Sequence, residues 1–187
     1  MDAAVWNEIK ALFATAEPAN LGPETRAGVL SADELEHRLD ELLARASLSQ
    51  VNADLVRSTV LLWHDHLDES HALSQAIETA DGSFLHGIMH RREPDYWNSK
   101  YWFRRVGNHP AFPEIANGAA VALADSKHAA LKEQLLPRGT WDAFAFVDAC
   151  EAAAGRSGSE SNRAALRELQ RVELETLLAR FCGVTAR

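Results

Sequence analysis

Apolar residues recur at three- and four-residue intervals along almost all of this 187-residue chain, and only Pro, Gly and short polar clusters interrupt them. Ala, Leu, Glu and Arg dominate between the interruptions and β-branched runs are scarce, so the pattern specifies α-helices rather than strands. A first helix is expected over residues about 2–16, with Val5, Ile9, Leu12 and Phe13 on one face and Pro18, Gly22 and Pro23 beyond it. Ser31 and Glu34 read as a capping box ahead of the stripe Leu35, Leu39, Leu42 and Leu43. Asn52 is expected to cap an apolar helix that ends in HDHLDESH, and a short helix over roughly 69–79 then follows with Asp68 as its cap. Asp81-Gly82 reads as a turn.

One helix through Leu85, Ile88 and Met89 precedes Pro94, and another runs from near Asp95 until Gly107 and Pro110 end it. Pro113 opens a further helix reaching Leu123 or beyond, Pro137 and Gly139 punctuate, and Trp141, Phe144, Val147 and Ala149 belong to the next. Residues 155–162, GRSGSESN, read as a mobile surface loop, and Leu166, Leu169, Val172, Leu174, Leu177 and Leu178 mark a final helix. The sum is a single all-α domain over residues 1–187, a helical bundle of seven to nine helices.

Hydrophobic residues make up 47% and charged residues 25%, the balance of a soluble globular protein. No apolar run reaches eighteen residues, so no membrane span is expected. The N-terminus lacks a basic start followed by an apolar block, which points to a cytoplasmic protein. Cys150 and Cys182 sit in apolar helical stretches without zinc-type spacing and read as free buried thiols. A formal net charge of -8 argues against nucleic acid as a partner. Between Arg91 and Arg105 the balance reverses locally, with Arg91, Arg92, Lys100, Arg104 and Arg105 against Glu93 and Asp95, and this suits a small anionic molecule.

That reversal lies within Asp81–His109, which also holds both tyrosines of the chain, two of its five tryptophans and three histidines. Such a mixture is hard to satisfy inside a core and points to a pocket. His86 and His90 are four apart and share a helix face, which Glu93 extends, so these three are the candidate catalytic residues, as ligands or acid–base groups. His64 and His71 align with them across a second face if the preceding helix is continuous. His64, His71, His86 and His90 are then candidate ligands for a divalent transition metal, with zinc, manganese or iron suited to such donors. The competing reading is histidines hydrogen-bonded within the fold, since the spacing lacks a metalloprotease glutamate.

Arg91, Arg104, Tyr96, Trp97 and Asn98 are the candidate substrate-binding residues. Guanidinium groups bind carboxylate or phosphate in a planar fork, and aromatic faces stack on rings or sugars. Adjacent arginines diverge by about 100° on a helix, so only two of Arg91, Arg92, Arg104 and Arg105 face a common site, with Arg92 and Arg105 the weaker choices. Trp102 and Phe103 read as core. No phosphate-binding loop, dinucleotide fingerprint or serine elbow is present.

The run FLHGIMHRREPDYWNSKYWFRRVGNHP resembles the central motif of a family of uncharacterised bacterial and fungal proteins, over Trp63 to Pro113 at most. That resemblance implies no activity, substrate or catalytic residue. On the residues alone, the expected function is an enzyme for a small phosphorylated or carboxylated metabolite, a metal-assisted hydrolase or lyase. The alternatives are a non-catalytic ligand-binding module or sensor, and a structural or dimerisation protein with a buried polar network. The oligomeric state is left open, a homodimer included.

Overall fold

The structure is a computed structural model, and it describes residues 1–155 and 160–184. Among these residues there are ten α-helices and no strand: α1 Ala3–Ala11, α2 Ala32–Ala46, α3 Gln50–Trp63, α4 Leu67–Ser74, α5 Ala80–Arg92, α6 Tyr96–Val106, α7 Phe112–Ala122, α8 Ala129–Leu135, α9 Ala143–Ala154 and α10 Glu160–Phe181. Two 3₁₀ turns, Ser126–His128 and Pro137–Gly139, flank α8. The all-α class is as expected, with one helix more than the expected range. Residues 156–159 of the expected loop at 155–162 lie outside the described residues, and residues 160–162 belong to α10 rather than to a loop. No helix among the described residues is long and apolar enough to cross a membrane.

One hydrophobic cluster runs from Val5 to Cys182 and draws on nearly every helix. Helix α5 lies at its centre, since every residue from Gly82 to Arg92 is buried. It packs against α3, α4 and α6, and α10 closes the other side against α3, α7 and α9. Both cysteines are free and buried.

Short polar side chains start six of the helices, α1, α2, α3, α5, α6 and α9, by accepting otherwise unpaired backbone N–H groups. Ser31 accepts from Glu34 N, as the capping box predicts, and Asp95 accepts from Asn98 N at the head of α6. Several boundaries differ from expectation, among them the ends of α1 at Ala11 rather than near residue 16 and of α4 at Ser74 rather than near 79. Ser49, rather than Asn52, caps α3. Helix α4 begins at Leu67, so Asp68 sits in its first turn rather than at its cap. Thr79 caps α5, and Asp81-Gly82 is the first turn of that helix rather than a loop. A Cβ at Gly82 would meet the carbonyl oxygen of Ile77 and lie 2.7 Å from the Ile77 Cβ. The glycine is therefore there for the close approach of the α4–α5 connection, a requirement that local turn statistics do not distinguish from a turn.

Two arginines at the end of α5 fasten the bundle from within. The Arg92 guanidinium is fully buried and donates to Asp65 Oδ1 at 2.6 Å and to the carbonyls of Leu62 and Gly22. Asp65 follows α3 with φ +67° and also accepts from the backbone N and Nε of Arg26, at 3.0 and 2.7 Å. Burial opposes ionisation of this carboxyl, but Arg92 and Arg26 outweigh it and hold its pKa below the ordinary value. The other arginine, Arg91, points the opposite way. It donates to Glu173 Oε2 at 2.6 Å and Gln170 Oε1 at 3.3 Å on α10, with its guanidinium 4.3 Å from the Phe146 ring centroid.

Candidate metal centre

His86 and His90 lie one turn apart on α5, with ring centroids 4.8 Å apart and planes at 23°. Helix α4 lays His71 across both, at 4.6 Å from His86 and 5.3 Å from His90. One ring nitrogen from each of the three falls within 4.8 Å of the others. His86 and His90 are buried at 3% and 6% exposure, while His71 is half-buried on the short α4, so the group lies just beneath the surface.

The surroundings fix two of the rings. The Trp102 indole of α6 stacks on His86, centroids 3.9 Å apart and planes at 16°. Helices α5 and α6 come this close because the Gly87 carbonyl accepts from Ser99 Oγ at 2.7 Å and a Cβ at Gly87 would lie 3.0 Å from the Phe103 ring. His90 Nδ1 lies 3.0 Å from Glu93 Oε2. With the proton on Nδ1 donated to that carboxylate, Nε2 keeps its lone pair. Asn98 Nδ2 is 3.0 Å from Nε2 and 3.4 Å from Nδ1 of the same ring. A nitrogen at such similar distances from both lies beside the Cε1 edge or over the ring rather than along either lone pair.

His86 Nδ1 is buried without a hydrogen-bond partner among the described residues. Burial is the main cause holding the His86 pKa down at about 3, with repulsion from His90 and His71 added. Burial also lowers the His90 pKa, and Glu93 partly opposes it. Both rings are thus neutral near pH 7, the form that ligates metals. Tetrahedral coordination at about 2.0–2.1 Å would place ligand nitrogens about 3.3 Å apart, so the nitrogens here, all within 4.8 Å of one another, would close by at most roughly 1.5 Å. A metal held by these three imidazoles would keep a fourth position for water or substrate, as catalytic rather than structural zinc sites do.

Of the residues singled out from the sequence, His71, His86, His90, Glu93 and Asn98 come together here. His64 does not. Helix α3 ends at Trp63, the backbone turns before α4, and both His64 nitrogens are engaged by backbone groups, Nε2 2.8 Å from Leu12 O and Nδ1 accepting from Leu30 N. Burial keeps its pKa low as well. Arg91 is not at the site, because its guanidinium is held by Glu173 in the core. Tyr96 lines a separate cleft of about 380 Å³ with Gly22, Pro23 and Cys150. Trp97 and Arg104 lie exposed on the outer face of α6.

One residue that reads from the sequence as core adjoins the histidines instead, and an arginine that reads as a weaker choice lies over it. Trp102 forms the stack on His86, and the Arg105 guanidinium lies 5.2 Å from the Trp102 ring centroid. Their i, i+3 spacing carries that pairing, but only the position of α5 shows which side of α6 the histidines occupy.

Compared with protein-family models, curated proteins and solved structures, the chain matches none.

Proposed function

We propose that His71, His86 and His90 hold a divalent transition metal and that the protein is a metal-assisted enzyme acting on a small anionic molecule. The observation that carries this reading is the convergence of three imidazoles from two helices, one of them with a buried nitrogen lacking a hydrogen-bond partner. An all-imidazole set suits zinc or iron better than manganese, which favours oxygen donors. Glu93 acts through His90, fixing its tautomer and raising its basicity, in the manner of a carboxylate that orients a metal-bound histidine.

When bound, the metal supplies a Lewis acid and lowers the pKa of water at the open position. The chain contributes the shape around that position. Trp102 fences one side, Asn98 offers an amide beside His90, and half-exposed Glu93 stands at the water-facing edge as a proton carrier. Hydrolysis or lyase chemistry on a phosphorylated or carboxylated metabolite fits this combination.

The test is metal analysis of untagged protein, followed by titration of the chelated protein with zinc, iron and manganese. About one equivalent of metal and a rise in Tm that His71→Ala and His90→Ala each abolish is the expected result. Less than about a tenth of an equivalent, with no shift for any of the metals, would sink the reading.

A further inference from the structure

Helix α6 turns Ser99, Phe103 and Val106 into the core, and its opposite face carries Trp97, Tyr101, Arg104 and Arg105. An exposed tryptophan on the solvent face of a helix has no packing role to account for it, and Trp97 is 74% exposed. Tyr101, one turn on and 41% exposed, lies nearly parallel to it, with centroids 6.5 Å apart and planes at 14°. Tyr101 in turn meets Trp102 edge to face at 5.5 Å, and Trp102 lies on His86. Aromatic surface is therefore continuous from solvent to the three-histidine centre.

The arginines beside these rings are unusual for this chain. Among the described residues, every arginine except Arg104, Arg105 and Arg138 is ion-paired with a carboxylate. In a protein of net charge -8, two adjacent exposed guanidiniums without a carboxylate partner are a reserved positive patch. Arg105 already lies over Trp102. Tyr101 and Arg105 are one turn apart, about 6 Å along the axis, so the long Arg105 side chain can reach an anionic group borne by a ring seated on Tyr101.

We propose that the outer face of α6 is the substrate ledge of the metal centre and that its occupant is a planar aromatic molecule bearing a carboxylate or phosphate. The ring stacks on Trp97 and Tyr101, Arg105, which lies over Trp102, binds the anion, and Arg104, about 100° round the helix, adds to the positive field beside it. Trp102 connects this seat to the histidines. The proposal rests on the three-histidine reading for where the reacting bond lies. The ledge itself is built entirely from α6 and does not need the metal to bind.

The test is calorimetric titration of the full chain, chelated and metal-loaded, with 2-naphthoate and 2-naphthyl phosphate. Cyclohexanecarboxylate and inorganic phosphate serve as anions without the ring, and 2-naphthol as the ring without the anion. At least one naphthyl anion should bind tenfold or more tightly than all three controls, and the choice between the two anions identifies the anionic group. Trp97→Ala and the double substitution Arg104→Gln with Arg105→Gln should each weaken that binding about tenfold. Both variants alter exposed side chains, so they retain the fold. Equal binding of the controls, affinity unmoved in both variants, or no naphthyl binding with and without metal would overturn the ledge. So would a dimer that Trp97→Ala dissociates in sedimentation, since the face would then belong to a second copy. Naphthyl binding in a protein that takes up no metal keeps the ledge and removes the metal centre. Metal uptake without naphthyl binding does the reverse.

Discussion

The indole of Trp102 covers the imidazole of His86 at a centroid distance of 3.9 Å, with the two planes 16° apart. This contact immobilises a ring that has no hydrogen bond at Nδ1. It also joins α6 to the centre of α5 at the point where Gly87 lets the helices approach. Preorganisation of this kind reduces the ordering that metal binding demands of a ligand. Trp102→Phe, which keeps a stacking ring, should leave zinc affinity within about threefold, and Trp102→Ala should weaken it about tenfold in a competition assay with a chromophoric chelator. Equal affinities for the two variants would mean that the stack plays no part in positioning His86.

Glu93 reaches His90 from the end of the same helix, with 3.0 Å between Oε2 and Nδ1. Its side chain is half exposed, so the contact adds little to folding stability and its effect should appear at the metal. Glu93→Gln is expected to lower zinc affinity about ten- to a hundredfold with a nearly unchanged Tm of the metal-free protein. A drop in the metal-free Tm with unaltered affinity would make Glu93 a structural partner of His90 only.

The helices and much of the centre are legible in the sequence for a simple reason. Periodicity and caps are local properties, and so is the His86/His90 spacing, which a single helix face guarantees. His71 joins through a non-local relation, the close α4–α5 turn at Gly82, although its chemistry had already marked it. The arginines are where local reasoning fails. Arg91 reads as a substrate-binding cation and Arg92 as a weaker choice for the same site, yet Glu173 and Asp65 reach them from 82 and 27 residues away and draw them into the core. Nothing near them in the chain announces those partners. His64 is misplaced for a related reason, because Asp65 takes a left-handed backbone conformation that ends α3 and separates His64 from His71.

The Asp65 carboxylate serves two guanidiniums at once, Arg92 at 2.6 Å and Arg26 at 2.7 Å, with both carboxylate oxygens engaged. Removing the charge strands Arg92 in the core, a loss on the order of 3–5 kcal/mol. Asn tolerates the left-handed conformation, so Asp65→Asn isolates the charge from the backbone geometry. Urea unfolding should show that full loss for Asp65→Asn, against less than about 1 kcal/mol for Asp40→Asn, whose exposed carboxylate pairs with Arg57. Similar small losses for both would mean that Arg92 finds other acceptors.

Gly82 is the point where the connection from α4 crosses the start of α5, and a methyl group there meets Ile77. Gly82→Ala must push the connection outward and carry α4 with it. The overpacking should cost about 1–3 kcal/mol. Because His71 rides on α4, zinc affinity should fall as well. Gly28→Ala makes a useful contrast, since nothing lies within 4 Å of that position and its cost comes only from φ +80°. Stability loss with intact zinc affinity in Gly82→Ala would detach the turn from the metal centre.

Acid should weaken the metal-free protein through His86. Its pKa is held at about 3, chiefly by burial, against an unfolded value of about 6.5. Between those values the unfolded chain binds the proton and the folded chain does not, so stability is full above about pH 6.5 and falls as pH decreases towards the folded pKa. At pH 5 the loss from this one group amounts to about 2 kcal/mol. His86→Phe keeps a ring for Trp102 to cover and cannot titrate. Urea unfolding of chelated protein near pH 7.5 and pH 5 should therefore show a loss in the parent about 2 kcal/mol larger than in His86→Phe. Identical losses in the two proteins would show that His86 is solvated or protonated in the folded state and that the imidazole cluster is not kept neutral by the fold.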